Sequence, residues 1–348
     1  MFINITSEIY KGLKIKHYFI YSDILINFSS DFCFRRRLYE TKWTLTRHII
    51  NIMLFIMKKT VLSLVTLSLL SASSLSAQIL YKVEGNGTKS PSYVFGSHHL
   101  SPISIVEESG VMEYFNGTDQ VVGEIDLTMD PMALSMALQP YMMAPADSTL
   151  TVLLAGEDMD ALNVQFQKWS PMQGMQLQML DPLKPLAVST MLAAGMSQEA
   201  MPGFDPSQQL DTYFFKKGQE TGKKILALET PEYQGEVLFN MTPLTVQAEV
   251  LVDMLKNPQD SLDASKKLAE AYQNRDLNAM LAISEETDEH PEFMENILFK
   301  RNENWMTQLP AIIEETPSFI VVGALHLAGP KGILEGLKSQ GFTITPIY

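Results

Sequence analysis

The chain has 348 residues, of which 40 are acidic and 26 are basic, so its formal net charge at pH 7 is −14. An acidic excess of this size argues against nucleic acid or an anionic membrane surface as a partner. The only cysteine, Cys33, leaves no partner for an intramolecular disulfide, so stability has to come from a packed core.

A signal-peptide pattern begins at Met57. Two lysines, a short apolar run and a series of small residues ending at Ala77 follow in order. We therefore expect residues 1–56 to be a non-native upstream extension, 57–77 to be a cleaved signal peptide, and 78–348 to form a single domain. The mature protein is then periplasmic or secreted, with no membrane contact after cleavage. The alternative is a genuine extension with an internal membrane helix, for which the apolar run is short.

Six short segments rich in β-branched and aromatic residues are typical of strands. In chain order they are 79–83, 92–95, 120–125, 224–228, 318–322 and 342–345. The turn residues between the first two predict an N-terminal hairpin. Helical patterns separate the later strands, which predicts an α/β fold with a mixed, largely parallel central sheet flanked by helices.

The segment from about 129 to 210 has a different composition. Strand signals vanish, more than half of the 21 methionines fall here, and repeated prolines divide the segment into short helices. We interpret it as a helical insertion that forms a cap over the strand ends. Methionines could bind Cu(I), but side chains of this kind more often fill irregular cores, and we expect them to line the core and the cap.

Four of the predicted strands end in a polar residue: His99, Glu124, Glu229 and His326 follow them closely. In α/β sheets ligands bind beyond the carboxyl ends of the strands, where the loops converge. The two histidines close similar Gly-x-x-His turns, Gly96 to His99 and Gly323 to His326. A lone histidine at a strand end is usually structural. Two such turns together favour a shared site.

These residues resemble the TraB/GumN family, which includes the TIKI proteases. The resemblance runs from about residue 81 to 348 and rests on segments that follow the family's order: Phe95-Gly96-Ser97-His98-His99-Leu100, Glu124, Leu183-Lys184-Pro185, Leu228-Glu229-Thr230 with Gln234, Arg301-Asn302-Glu303-Asn304-Trp305, and Val322-Gly323-Ala324-Leu325-His326-Leu327-Ala328-Gly329. Three positions depart from the pattern. Ser97 replaces a threonine, Leu325 replaces a glycine, and the family's Gly-x-Asp appears as Gln209-Leu210-Asp211.

The resemblance implies a metal-dependent, peptidase-like hydrolase on a fold similar to the erythromycin esterase and ChaN haem-binding proteins. The expected substrate is a peptide or a small molecule. In this interpretation His99, His326 and Glu124 hold a divalent transition metal (Mn, Co or Zn), which lowers the pKa of a bound water. Glu229 is then the general base, and Arg301 stabilises the developing oxyanion.

Three alternatives stay open at this point. In the first, a metal-independent esterase-like hydrolase, His99 or His326 is the general base and a glutamate orients it. In the second, the same histidines bind haem or a metal without catalysis. In the third, the chain keeps the fold without activity, since fold does not fix function.

Overall fold

The computed structural model describes residues 78–347, apart from Pro171, Pro202, Pro206, Asp288 and Glu289. All of these described residues belong to one structural unit, Ser74–Tyr348. The expected upstream extension (1–56) and signal peptide (57–77) lie outside them. Within the described part of the chain, no helix is long and apolar enough to cross a membrane.

A six-stranded sheet with the order β4-β3-β5-β2-β1-β6 organises the fold. Its strands are β1 (Leu80–Gly85), β2 (Ser92–Ser97), β3 (Gln120–Gly123), β4 (Lys224–Ala227), β5 (Ser318–Gly323) and β6 (Phe342–Ile347). Neighbours among β4, β3, β5 and β2 run parallel, whereas β1 is antiparallel to both β2 and β6. The expected hairpin and the mixed, largely parallel sheet are therefore confirmed.

Helices surround this sheet and account for most of the other described residues. In chain order they are α1 (Ser104–Glu108), α2 (Val111–Asn116), α3 (Pro131–Met142), α4 (Leu150–Leu153), α5 (Met159–Trp169), α6 (Pro185–Ala200), α7 (Leu210–Glu220), α8 (Pro231–Phe239), α9 (Leu244–Lys256), α10 (Pro258–Gln273), α11 (Leu277–Thr287), α12 (Pro291–Met294), α13 (Lys300–Trp305), α14 (Leu309–Glu315) and α15 (Ile333–Ser339). Short 3-10 helices cover Leu177–Leu180 and Ala324–Leu327.

The main core lies between the sheet and the helices on its faces. The central strands β3 and β5 are almost entirely buried, as parallel strands covered on both faces should be. Helix α7 packs closely on β3, because Gly123 has no side chain there. A Cβ atom at Gly123 would lie 2.4 Å from the ring of Phe215. The close approach brings the N-terminus of α7 to the strand ends.

The insertion at 129–210 is helical, as its composition predicts. Its helices α3 to α6 contribute no strand to the sheet, although Met143 and Leu183 form an isolated bridge. Several of them join α9 around a second apolar core that includes Phe166, Leu192 and Leu251. The segment thus has a core of its own instead of packing on a sheet face. Helix α3 instead packs on α8, the helix that follows Glu229.

Several of the methionines that were expected to line the core or the cap are not buried in the core. Met132 is 72% exposed, and Met136, Met172 and Met179 are also largely exposed. Helix α3 carries two of these four and buries no residue fully. Apolar composition predicted burial here, but one face of α3 packs on α8 and the other faces solvent.

A π-helical turn, Glu295–Phe299, joins α12 to α13. The N–H of Lys300 donates to the carbonyl oxygen of Glu295, five residues back, where a regular α-helix would use the residue four back. Such a turn holds one residue more than an α-helical turn and often marks a functional site. Arg301 lies two residues after its end.

Candidate functional site

The four polar strand ends meet at one edge of the sheet. The register pairs Ser97 with Gly323 and Gly123 with both Val321 and Ala227, so the parallel strands β2, β5, β3 and β4 end within two residues of one another. His99, His326, Glu124 and Glu229 follow these four strands. The structure therefore brings all four predicted residues to one rim, and helix α13 adds Arg301.

Arg301 lies at the centre of the cluster. Its Nε donates to Glu229 Oε1 at 2.9 Å, and its Nη2 donates to Glu229 Oε2 at 2.9 Å and to Glu124 Oε2 at 2.5 Å. Its Nη1 donates to the carbonyl oxygen of Ile297 at 3.1 Å and to His326 Nε2 at 3.2 Å. A guanidinium has five N–H groups. All five are engaged, so Arg301 has none left for a substrate.

Glu229 is enclosed by the protein. Its side chain is 0% exposed, and its Oε1 also accepts a 2.8 Å hydrogen bond from Trp305 Nε1. Burial raises the pKa of Glu229, although the charge of Arg301 opposes this effect. Burial alone would lower the pKa of Arg301, but the carboxylates of Glu124 and Glu229 raise it above its ordinary value. Glu229 can hold Arg301, but it cannot reach a substrate in this arrangement.

Glu124 is the more accessible carboxylate, with a side chain that is 12% exposed. Its Oε1 accepts the N–H of Gly323 at 2.9 Å, and its Oε2 accepts from Arg301 and, at 3.4 Å, from Gln234 Nε2. Burial alone would raise the pKa of Glu124, but Arg301 and the N–H of Gly323 outweigh it and lower the pKa to about 2. Glu124 is therefore a fixed anion at neutral pH.

His326 is buried with both ring nitrogens engaged. The side-chain amide of Asn302 donates to two backbone carbonyls, those of His326 and Lys331, so its Oδ1 is the acceptor for His326 Nδ1 at 2.7 Å. That bond places the proton on Nδ1 and leaves the lone pair of Nε2 facing Arg301. Burial lowers the pKa of His326 to about 3, in agreement with this neutral tautomer. The Trp305 ring packs on the imidazole, with centroids 4.3 Å apart.

His99 has a different environment. Its side chain is 58% exposed, and its Nδ1 lies 2.9 Å from Asp211 Oδ2. Asp211 comes from the start of α7 and also accepts the hydroxyl of Ser97 at 2.7 Å, which fixes the carboxylate. The charge of Asp211 and its hydrogen bond to Nδ1 raise the pKa of His99 to about 9. Among the described residues, Nε2 of His99 has no hydrogen-bond partner.

Gly323 marks the point where these side chains converge. A Cβ atom at this position would lie 3.4 Å from Glu124 Oε1, 3.4 Å from the His326 ring and 3.9 Å from His99 Nε2. The absence of a side chain here keeps open the space between the two histidines and the glutamate.

Sequence reasoning missed the roles of three residues in this cluster. Asp211 holds His99, Asn302 fixes the tautomer of His326, and Trp305 donates to Glu229. The spacing of Arg301, Asn302 and Trp305 on one helix contained a signal for two of them. The Gly-x-Asp resemblance singled out Asp211, but nothing local indicated its pairing with His99, which lies 112 residues away in the chain.

A protein-family model, that of the TraB/PrgY/gumN family, matches residues 79–346. The chain belongs to this family. Neither a curated protein nor a solved structure matches the chain. For this TraB/PrgY/gumN chain, the match spans nearly all of the described fold, including the helical segment and both Gly-x-x-His turns.

The predicted metal ligands His99, His326 and Glu124 surround one point, but they do not fit a metal ion as arranged. Arg301 occupies Nε2 of His326, its only nitrogen with a free lone pair, and also bonds Glu124. A guanidinium at both positions repels a cation. Within the described residues, no group of three His, Cys, Asp or Glu side chains is arranged to hold a metal ion. A site with these three ligands would require Arg301 to move.

Proposed function

We propose that this chain is a hydrolase in which His99 is the general base that activates water. The observation that carries the proposal is the Asp211–His99 pair at the rim of the sheet. Asp211 fixes Nδ1 of the imidazole, which leaves Nε2 for proton transfer. His326 cannot take this role, because Arg301 and Asn302 occupy both of its nitrogens.

In the proposed step, His99 Nε2 takes a proton from a water molecule while the water oxygen attacks the carbonyl carbon of the substrate. The bond from that carbon to the leaving group then breaks, and the leaving group takes the proton back from His99. Asp211 stabilises the imidazolium that forms in between. Glu124, which lies beside the same space, accepts a hydrogen bond from the attacking water and orients it.

The other predicted catalytic residues act as positioning residues in this proposal. Arg301 and Glu229 hold the carboxylate of Glu124 in place, and His326 holds Arg301. An oxyanion role for Arg301 is not retained, because all five of its N–H groups already have acceptors. The substrate class remains a peptide or a small molecule with an ester or amide bond.

A metal-dependent hydrolase is the second candidate, and one observation favours it. A carboxylate behind Nδ1 of an exposed histidine is the arrangement that often orients a metal-binding imidazole, and here Asp211 takes that position behind His99. Mn, Co and Zn are the metals to test. Activity that EDTA abolishes and one of these ions restores would support this candidate over the metal-independent one.

The pH dependence of hydrolysis tests the role of His99. A panel of ester and peptide substrates first identifies one that the wild-type protein hydrolyses. Because the pKa of His99 is raised to about 9, its unprotonated fraction grows about tenfold per pH unit below that value. We expect kcat/KM to rise with pH and to level off near pH 9. In Asp211→Asn the rise should move toward the ordinary pKa of about 6.5, with a plateau at least about tenfold lower.

Two variants serve as controls in this experiment. Asp260→Asn removes an exposed carboxylate on α10 and should leave the profile unchanged. His99→Ala should lose most of the activity at every pH. A wild-type rate that falls as the pH rises toward 9, or an Asp211→Asn profile that keeps its midpoint, would contradict the general-base role.

A further inference from the structure

A groove of about 620 Å³ runs between α9 and the helical stretch that leads into α13. Its volume lies within the range that small-molecule sites usually have. One wall is a single face of α9, formed by residues at helical spacing: Val246, Glu249, Val250, Asp253 and Met254. The opposite face of α9 is buried in the second core, so this helix cannot turn away from the groove.

The second wall is apolar. Phe293, Met294 and Ile297, which are again spaced as one helical face, line it from α12 and the π-helical turn. Together with the valines and the methionine of α9, they give the groove an apolar floor of aromatic, branched and flexible side chains. Such a surface accommodates the hydrocarbon part of a ligand.

The carboxylates that line the groove are not balanced by lysine or arginine among its described lining residues. Glu249 and Asp253, one helical turn apart, are the charged carboxylates among the lining residues, and Glu249 is 68% exposed. No lysine or arginine occurs among the described residues that line the groove. His290, on the opposite wall, lies 3.9 Å from Glu249. The apolar floor with an anionic rim complements a ligand that joins an apolar body to a positive charge.

The groove borders the candidate active site through two residues. Leu325 lines it and directly precedes His326 in the second Gly-x-x-His turn. Ile297 also lines it, and the carbonyl oxygen of Ile297 accepts a hydrogen bond from Arg301. A ligand in the groove would therefore contact the two segments that hold His326 and Arg301.

From this geometry we propose that the groove binds apolar organic cations, and that such a group is the part of the substrate that selects it for hydrolysis. The assignment to the substrate rests on the proposed hydrolase function, whereas the binding itself does not. The ligand places its hydrocarbon portion on Val250 and Ile297 and its ammonium or guanidinium group near Glu249 and Asp253.

Binding of two matched fluorescent probes tests this proposal by fluorescence polarisation. Dansylcadaverine carries an ammonium group at the end of its alkyl chain, and dansyl-6-aminohexanoate carries a carboxylate there. We expect the ammonium probe to bind the wild-type protein roughly three- to tenfold more tightly, since each partly exposed carboxylate contributes modestly to such a preference. The double variant Glu249→Gln with Asp253→Asn should lose the preference.

Three further variants show whether the probes bind in the groove. Glu107→Gln with Glu108→Gln removes two exposed charges on α1, outside the groove, and should keep the preference. Val250→Trp should fill the groove and weaken both probes at least about tenfold, with folding checked by circular dichroism. His99→Ala should bind both probes as the wild type does, so a failure of the hydrolase proposal leaves this result intact. Equal affinity of the two probes for the wild type, or equal loss in the α1 control, would overturn the proposal.

Discussion

Removing the guanidinium of Arg301 tests whether the cluster is held together as described. In Arg301→Gln, Glu229 stays at 0% exposure without its cation, and Glu124 loses its shortest hydrogen bond. Breaking a buried ion pair on one side costs about 3–5 kcal/mol, because a charge is left uncompensated. We expect the free energy of unfolding of Arg301→Gln to fall by about this amount.

A double variant resolves the origin of that loss. Adding Glu229→Gln to Arg301→Gln removes the uncompensated charge, so the second substitution should restore about 2 kcal/mol of the lost stability. The assay is urea denaturation at pH 7, followed by circular dichroism. Lys338→Gln is the matched control, since the Lys338–Glu335 pair has a similar separation of 2.6 Å but is exposed, and it should cost less than about 1 kcal/mol. If Arg301→Gln cost no more than this control, the cluster would not be a tightly coupled unit.

Two further predictions concern stability. A Cβ atom at Gly195 would lie 2.0 Å from the carbonyl oxygen of Trp169, so Gly195→Ala should lower the free energy of unfolding by about 1–3 kcal/mol, whereas Gly156→Ala, with nothing within 4 Å, should leave it nearly unchanged. The pKa of His326 is lowered to about 3 in the folded chain. Between pH 6.5 and 3, the imidazole is therefore protonated in the unfolded chain but neutral in the folded chain. The free energy of unfolding should thus fall as the pH drops from 6.5 to 3. In His326→Gln this decline should be shallower by up to about 1.4 kcal/mol per pH unit, and an unchanged slope in denaturation curves would contradict the buried neutral histidine.

The edge of the sheet on which the site lies was predictable from the sequence. β-branched runs that end in glycine and a polar residue identify buried parallel strands, and parallel strands place their carboxyl ends together. His99, Glu124, Glu229 and His326 could therefore be assigned to one rim without knowledge of the strand order.

Which of these residues exchanges protons and which only hold it in position was not predictable from the sequence. Whether a histidine exchanges protons depends on what its nitrogens contact, and those partners come from distant parts of the chain. Asp211 reaches His99 only because α7 packs against the sheet. Arg301 uses all its donors only because four segments of the chain place an acceptor beside it. The exposed methionines of α3 have a similar cause. The composition of a helix shows how apolar it is, but it does not show which of its faces packs against another element.

The π-helical turn makes the length of the chain critical near the site. Each residue of a helix advances the side chains by about 100° around the helix axis. Deleting one residue from Glu295–Phe299 would restore regular helical spacing and rotate Arg301, Asn302 and Trp305 together away from Glu229 and His326. Substitutions within the turn do not change the direction in which these three side chains point from the helix axis. Relatives that keep this cluster are therefore expected to vary in the identity of these five residues more readily than in their number.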